Sequence, residues 1–286
     1  MKKALFLGLA TLDIQYFVDE FPAGNVKIKT QAPDCWVGGP ATNAAVAFAK
    51  LNGNTHLVTA VGKNAFQSVF KNDFEQCNIQ YIDLLERVDS QPVLASVISA
   101  SNGERTIFTH YPDRITQPID EKKLLDQLQP EVVMLDGFYP EVAVKLAHEA
   151  KNRQIPVVFD GGSWKSYLPE LLPHVDYAIC SNDFYPPTCE QPKEIFDYLD
   201  QFAISHKAIT RGNQPILVSS REMNCELDVP QVDVIDTLGA GDFFHGAFCY
   251  YLLTKSNYLQ ALQKSAEFAS KTCLFKGPRS WLNKLI

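Results

Sequence analysis

The sequence has no excess of basic residues. Its 26 Lys and Arg are outnumbered by 33 Asp and Glu, for a formal net charge of −7. No Lys/Arg cluster supplies the footprint that a nucleic acid or an anionic membrane requires, so neither is an expected partner. Long hydrophobic runs are absent too. The apolar start "MKKALFLGLATLD" is interrupted by Asp13 before a signal-peptide core or a membrane span could be complete, which points to a first buried strand and a cytoplasmic location. No C-x-x-C pair or His-rich tract occurs, and seven cysteines are scattered at 35, 77, 180, 189, 225, 249 and 273. An odd number of Cys set in runs such as "YAICSN" and "GAFCYYLL" reads as reduced core thiols, with no structural zinc and no metal-ligating side chains expected. Three signatures are also missing: G-x-x-x-x-G-K-[ST], a strand-linked G-x-G-x-x-G, and G-x-S-x-G. Their absence removes the common phosphate loop, the dinucleotide fingerprint and serine hydrolase chemistry from consideration.

What is present suits a sizeable folded core, since 46% of 286 residues are hydrophobic. The runs "KALFLGLA", "HLVTAVG", "EVVMLDG", "IPVVFDGG", "VDYAICSN", "HKAITRG" and "PILVSS" are continuously apolar rather than alternating, the pattern of strands buried on both faces of a parallel sheet. Between them, "PATNAAVAFAKLNG", "NAFQSVFKNDFEQCN" and "PEVAVKLAHEAKNR" show helical spacing. Strand and helix alternate, so a doubly wound α/β sheet is expected, in one domain spanning 1–286. Segments 13–39 and 90–112 break the rhythm. They alternate apolar and polar residues and carry hairpin signals at Ala23-Gly24-Asn25 and Asn102-Gly103, which predicts a small antiparallel sheet inserted as a lid.

In open α/β sheets, ligands bind beyond the carboxyl ends of the strands. Those ends carry Asp13, Asp136, Asp160, Asn182 and Thr210-Arg211. Each alone reads equally well as a turn or helix cap; five together mark a cleft. The sharpest feature is "DTLGAGDFFHGAF", residues 236–248. Its Gly239-Ala240-Gly241 turn opens a helix, where bare backbone N–H groups and the helix dipole suit an anion. Asp242 then has two possible jobs: a first-turn helix acid, or a general base beside a phosphoryl cradle. A second glycine turn, Gly38-Gly39 in "WVGGPATNAAVAFAKLNG", precedes a helix whose first turn carries Asn43, an amide suited to sugar hydroxyls.

Together, "GGPATNAAVAFAKLNG" and "DTLGAGDFFHGAF" resemble the two signatures of the PfkB/ribokinase family of carbohydrate kinases. The likeness extends through "GLATLDIQYFVDEFP", "SNGERTIFTHYP" and "ASKTCLFKG", and looks closest to ketohexokinase-like and sulfofructose-kinase-like members. It implies a ribokinase-like three-layer αβα fold with a mostly parallel sheet and a β-sheet lid that pairs subunits into a homodimer. It also implies ATP and Mg²⁺ as cofactors. Asp242 would be the base, with Gly239, Ala240 and Gly241 forming the anion hole. Asp13, Gly38, Gly39, Asn43 and Arg105 would face the sugar, and Asn182, Thr210, Gly212 and Cys273 the nucleotide.

The chain departs from the family pattern in places. Pro40 stands where ribokinase-like members carry Lys, which argues against ribose. Tyr185 occupies the glutamate position of N-x-x-E, Pro215 replaces the last glycine of T-x-G-x-x-G, and no sulfonate-recognising arginine lies near "MLDGFYP". The expected activity is ATP-dependent phosphorylation of a primary hydroxyl of a sugar, with a ketose among the candidates. A nucleoside kinase and a catalytically silent sugar or nucleotide sensor are the alternatives.

Overall fold

The computed structural model describes all residues except 31, 102–103, 113–116, 255 and 286, and all side chains of the remaining residues except that of Arg105. In chain order the main-sheet strands are β1 (Lys3–Leu7), β4 (Asn54–Thr59), β5 (Ile79–Asp83), β8 (Val132–Leu135), β9 (Val157–Gly161), β10 (Tyr177–Ser181), β11 (His206–Arg211), β12 (Gln214–Ser220) and β13 (Asn224–Leu227). The helices are α1 (Pro40–Lys50), α2 (Gln67–Gln76), α3 (Glu121–Leu128), α4 (Pro140–Asn152), α5 (Leu168–Leu171), α6 (Pro192–Asp200), α7 (Ala240–Leu252) and α8 (Tyr258–Thr272). The strands lie in the order β13-β12-β11-β10-β9-β8-β1-β4-β5, parallel from β11 to β5 and antiparallel at the β11-β12-β13 edge.

Alternation along each central strand builds two separate cores. On β1, Ala4 and Phe6 face one side while Leu5 and Leu7 face the other; on β8, Val132 and Met134 oppose Val133 and Leu135. The first side is covered by α1, α2, α7 and α8 through residues such as Phe48, Phe74, Phe248 and Leu262. The second is covered by α3, α4, α5 and α6 through Leu125, Leu146, Leu168 and Leu199. This is the three-layer αβα arrangement expected. Strands β5 and β13 escaped the sequence reading because each is short, is interrupted by polar residues and sits at a sheet edge.

The small sheet has the order β3-β2-β6-β7, formed by β2 (Thr11–Val18), β3 (Asp34–Gly38), β6 (Val93–Ala100) and β7 (Arg105–His110). It corrects two expectations. The sheet is mixed, because its central pair β2 and β6 is parallel, from Thr11 opposite Val93 to Val18 opposite Ala100. Strands β2 and β6 follow β1 and β5, which run in the same direction in the main sheet on either side of β4, and the two continue in that common direction as a parallel pair. The second correction concerns Ala23-Gly24-Asn25, which is no tight hairpin. The last β2-β3 pair is Gln15 with Asp34, and the described residues between the two strands form no ladder, with a turn at Gly24-Asn25 where Asn25 has φ 60°. The other hairpin signal, Asn102-Gly103, lies outside the described residues.

Helix α1 crosses α7 at backbone contact. A Cβ on Gly246 would collide with the Ala44 carbonyl oxygen, so only glycine allows this approach. Gly246→Ala is expected to destabilise the protein by about 1–3 kcal/mol through overpacking, as read from urea unfolding.

Candidate active site

Asn43 sits in the first turn of α1 and Asp242 in the first turn of α7. The close helix crossing brings them together: Asn43 Nδ2 donates to Asp242 Oδ2 at 2.9 Å. Asn43 is 3% exposed. Gly239 caps α7 in the left-handed region at φ 79°, and a Cβ there would come within 3.1 Å of Asn43 Nδ2. On β2 of the small sheet, buried Asp13 accepts a hydrogen bond from Thr11 Oγ1 at 2.6 Å. Its second oxygen occupies the space that any side chain at Gly38 would fill. Asp13, Gly38, Gly39, Asn43, Gly239 and Asp242 thus form one wall.

The head of α7 is only partly free for an anion. Ala240 N–H already donates to the Thr237 carbonyl at 3.1 Å. The N–H groups of Gly241 and Asp242 follow it, at helix positions where no preceding turn supplies an acceptor. Asn182, Thr210 and Gly212 share the same end of the sheet, in the turn after β10, at the end of β11 and in the turn after β11, and make no hydrogen bond to the Asn43–Asp242 pair among the described residues. Thr210 Oγ1 instead donates to the Cys180 carbonyl at 3.3 Å. Cys273 is buried at the C-terminal end of α8, with its carbonyl accepting from Ile235 N–H at 2.8 Å. Arg105 begins β7 opposite Ser99, and its side chain lies outside the described residues.

Three residues that sequence reading passed over complete the surroundings. His245 lies one helical turn from Asp242; its ring nitrogens stand 2.8 Å from the Gly241 carbonyl and 3.0 Å from that of Ile179, tying the turn to β10. The i, i+3 spacing on a helix could have flagged it. Lys165 lies near Asp136 and Asp160, with Nζ 4.7 Å from the Phe138 ring centroid. Arg279 bonds Asn43 Oδ1 at 2.8 Å, and nothing in "FKGPRSW" announces it.

The acids are crowded. Burial pushes the Asp242 carboxyl up to about 7, the Asp160 charge adds to this, and the Asn43 hydrogen bond and His245 oppose it. Asp160 is pushed up to about 8, by burial first and then by Asp136, against the pull of Lys165. Asp136 is also raised by burial, although N–H groups of Leu9, Ala41 and Phe138 hold its carboxylate at 2.8, 3.1 and 3.1 Å. A carboxyl that gains and loses its proton near neutrality, beside helix-head N–H groups that have no acceptor among the described residues, suits proton abstraction next to an anion.

Residues 1–284 match the pfkB family carbohydrate kinase profile. The chain belongs to the pfkB family. It is 24% identical over 291 residues to a nucleoside kinase of Methanocaldococcus jannaschii, covering 96% of this chain and 92% of that protein. To the ketohexokinase of Mus musculus it is 21% identical, covering 96% and 97%. The structure of Arabidopsis thaliana ribokinase complexed with ribose and ATP superposes with a TM-score of 0.76 at 19% identity, covering 96% and 93%. The fold is therefore ribokinase-like, and the relatives are kinases of sugars and nucleosides. Among the described residues no helix is long and apolar enough to cross a membrane.

The raised acids have a consequence for stability. An acid whose pKa rises on folding binds more protons folded than unfolded between the two values. Asp160, raised from 3.8 to about 8, therefore stabilises the fold least at the top of that window, and stability is lost as pH rises through it. Asp160→Asn is expected to remove this loss, gaining about 1 kcal/mol or more relative to the parent between pH 5 and 8 in urea unfolding.

Proposed function

We propose that the protein transfers the γ-phosphoryl group of ATP to a primary hydroxyl of a sugar, with a ketose among the candidates and Asp242 as general base. The observation that carries this reading is the Asp242 carboxyl beside the N–H groups at the head of α7, fixed by Asn43 at 2.9 Å. Asp242 takes the hydroxyl proton as the oxygen attacks. The Gly241 and Asp242 N–H groups receive the charge that spreads over the phosphoryl oxygens, with Gly239 and Ala240 shaping the turn. A carboxyl near 7 is half-ionised at neutral pH, which balances availability of the base against its strength. Asp13, Gly38, Gly39 and Asn43 hold the sugar, Arg105 closes on it from the lid, and Asn182, Thr210, Gly212 and Cys273 line the nucleotide cleft.

Among the described residues no group of three or more His, Cys, Asp or Glu could hold a metal ion. The residues fit a magnesium ion that arrives on the nucleotide phosphates, with Asp160, which accepts no hydrogen bond among the described residues, available to its water shell. Mg²⁺, when bound with the nucleotide, neutralises phosphate charge. A nucleoside acceptor is favoured by one observation, the Tyr111 ring stacked on Phe138 at 5.7 Å and 18° where the lid meets the main sheet, a platform that a base could join.

Asp242→Asn is expected to fold and bind sugar normally while losing roughly a hundredfold to ten-thousandfold in turnover, measured as ADP release over a panel of hexoses, pentoses, their phosphates and nucleosides. Near-normal turnover would remove Asp242 from the role, and tight binding without ADP from any acceptor would favour a sensor. The lid also carries Ile107 and Phe108, 45% and 65% exposed on edge strand β7, and we propose that two copies pair through it. Phe108→Glu is then expected to convert a dimer to a monomer in sedimentation velocity.

A further inference from the structure

Arg279 is 9% exposed on its side chain and uses all five of its N–H groups. Nε donates to Asp73 Oδ1 at 3.0 Å. Nη2 donates to Asp73 Oδ2 at 3.0 Å and to the Val37 carbonyl at 2.8 Å. Nη1 donates to the Pro278 carbonyl at 3.1 Å and to Asn43 Oδ1 at 2.8 Å. One planar group thereby joins α2, the end of β3, the first turn of α1 and the segment after α8.

The chemistry of the contact with Asn43 is one-sided. A guanidinium has donors and no acceptor, so the atom of Asn43 that faces it has to be the amide oxygen. The amide nitrogen is then turned to Asp242, which it meets at 2.9 Å. Rotated by half a turn, the amide would set N–H against guanidinium and oxygen against carboxylate, losing both bonds. The Asp73 carboxylate, gripped bidentately, keeps the fork itself from rotating.

We propose that Arg279 is a positioning residue that holds the Asn43 amide with its N–H on the Asp242 carboxylate, so that the base keeps one fixed donor. The proposal rests on the reading of Asp242 as the base. The groups that face Asp242 are Asp160 from the end of β9, Asp136 from the end of β8, His245 from its own helix and Asn43 from α1, so Arg279 acts on it through Asn43.

The test follows the Asp242 carboxyl by carbon NMR of protein labelled at Asp, its signal assigned by its loss in Asp242→Asn. The variant is Asp73→Leu/Arg279→Met, which removes the cation together with the carboxylate that it grips. Asp242 is expected to titrate about one unit higher in it than in the parent, because its carboxylate has lost a dependable donor. Asn43→Ala is expected to give the same shift, and combining all three changes to add nothing further. Arg279→Lys, which keeps the charge but not the fork, is the second variant and should shift Asp242 upward by a smaller amount. With an accepted substrate, the acidic limb of the kcat profile should move with the titration while KM for ATP holds. An unchanged Asp242 titration in a folded variant, or a shift that adds in full to that of Asn43→Ala, would overturn the proposal. The titration needs no substrate, so a parent protein that released no ADP would defeat the kinase reading while leaving this one standing or falling on its own result.

Discussion

The site depends on one steric fact, the contact of the α1 and α7 backbones at Ala44 and Gly246. Two helices that meet through side chains lie 8–10 Å apart, too far for the short arms of Asn and Asp to span reliably from their first turns. Removing the side chain at position 246 lets the axes close. With the axes closed, the distance of each functional residue from the crossing is set by helical rise alone. Asn43 and Asp242 lie one and four residues before Ala44 and Gly246, and both therefore emerge at the same end of the pair. A packing choice buried in the first core thus fixes a bond length in the cleft.

Around that pair the protein keeps acids where isolated carboxylates are disfavoured, at the ends of adjacent strands β8 and β9 and the head of α7. They divide by how many donors they receive. Asp136 receives three backbone N–H bonds and knits β1, α1 and the start of α4 together. Asp83 does the same at the end of β5, taking N–H groups of Val61, Gly62 and Leu85. Asp242 receives one donor among the described residues, Asn43 Nδ2 on its Oδ2. Side chains that look alike in the sequence, an Asp after a buried strand or a glycine turn, are separated by this count into well-bonded fasteners and a sparsely bonded carboxyl.

That distinction marks how far the sequence could be read. Continuous apolar runs revealed the central strands, because burial on both faces leaves no other pattern, and the glycine turns revealed both helix heads. The two glycine turns, Gly38-Gly39 and Gly239-Ala240-Gly241, stand at the heads of the two helices whose first turns meet through Asn43 and Asp242. Strands β5 and β13 stayed hidden since edge strands need little apolarity. The direction of β2 against β6 was illegible because alternation specifies which face is buried and is silent about pairing sense. Arg279 was the largest omission. It lies 236 residues from Asn43, and its significance comes from acceptors on Val37, Asn43 and Asp73, which no motif around position 279 contains.

The parallel β2-β6 pairing bears on how the chain reaches this state. An antiparallel hairpin can close on itself in microseconds, whereas β2 and β6 are joined across about 80 residues that include α1, β4, α2 and β5. Their ladder has no local nucleus and gains its register only once β1, β4 and β5 have lined up beneath it. The small sheet is therefore expected to form late, and the same dependence makes it a separable unit when the native protein opens. Its amides can exchange with solvent by lifting of this sheet alone while the nine-stranded platform among the described residues stays intact.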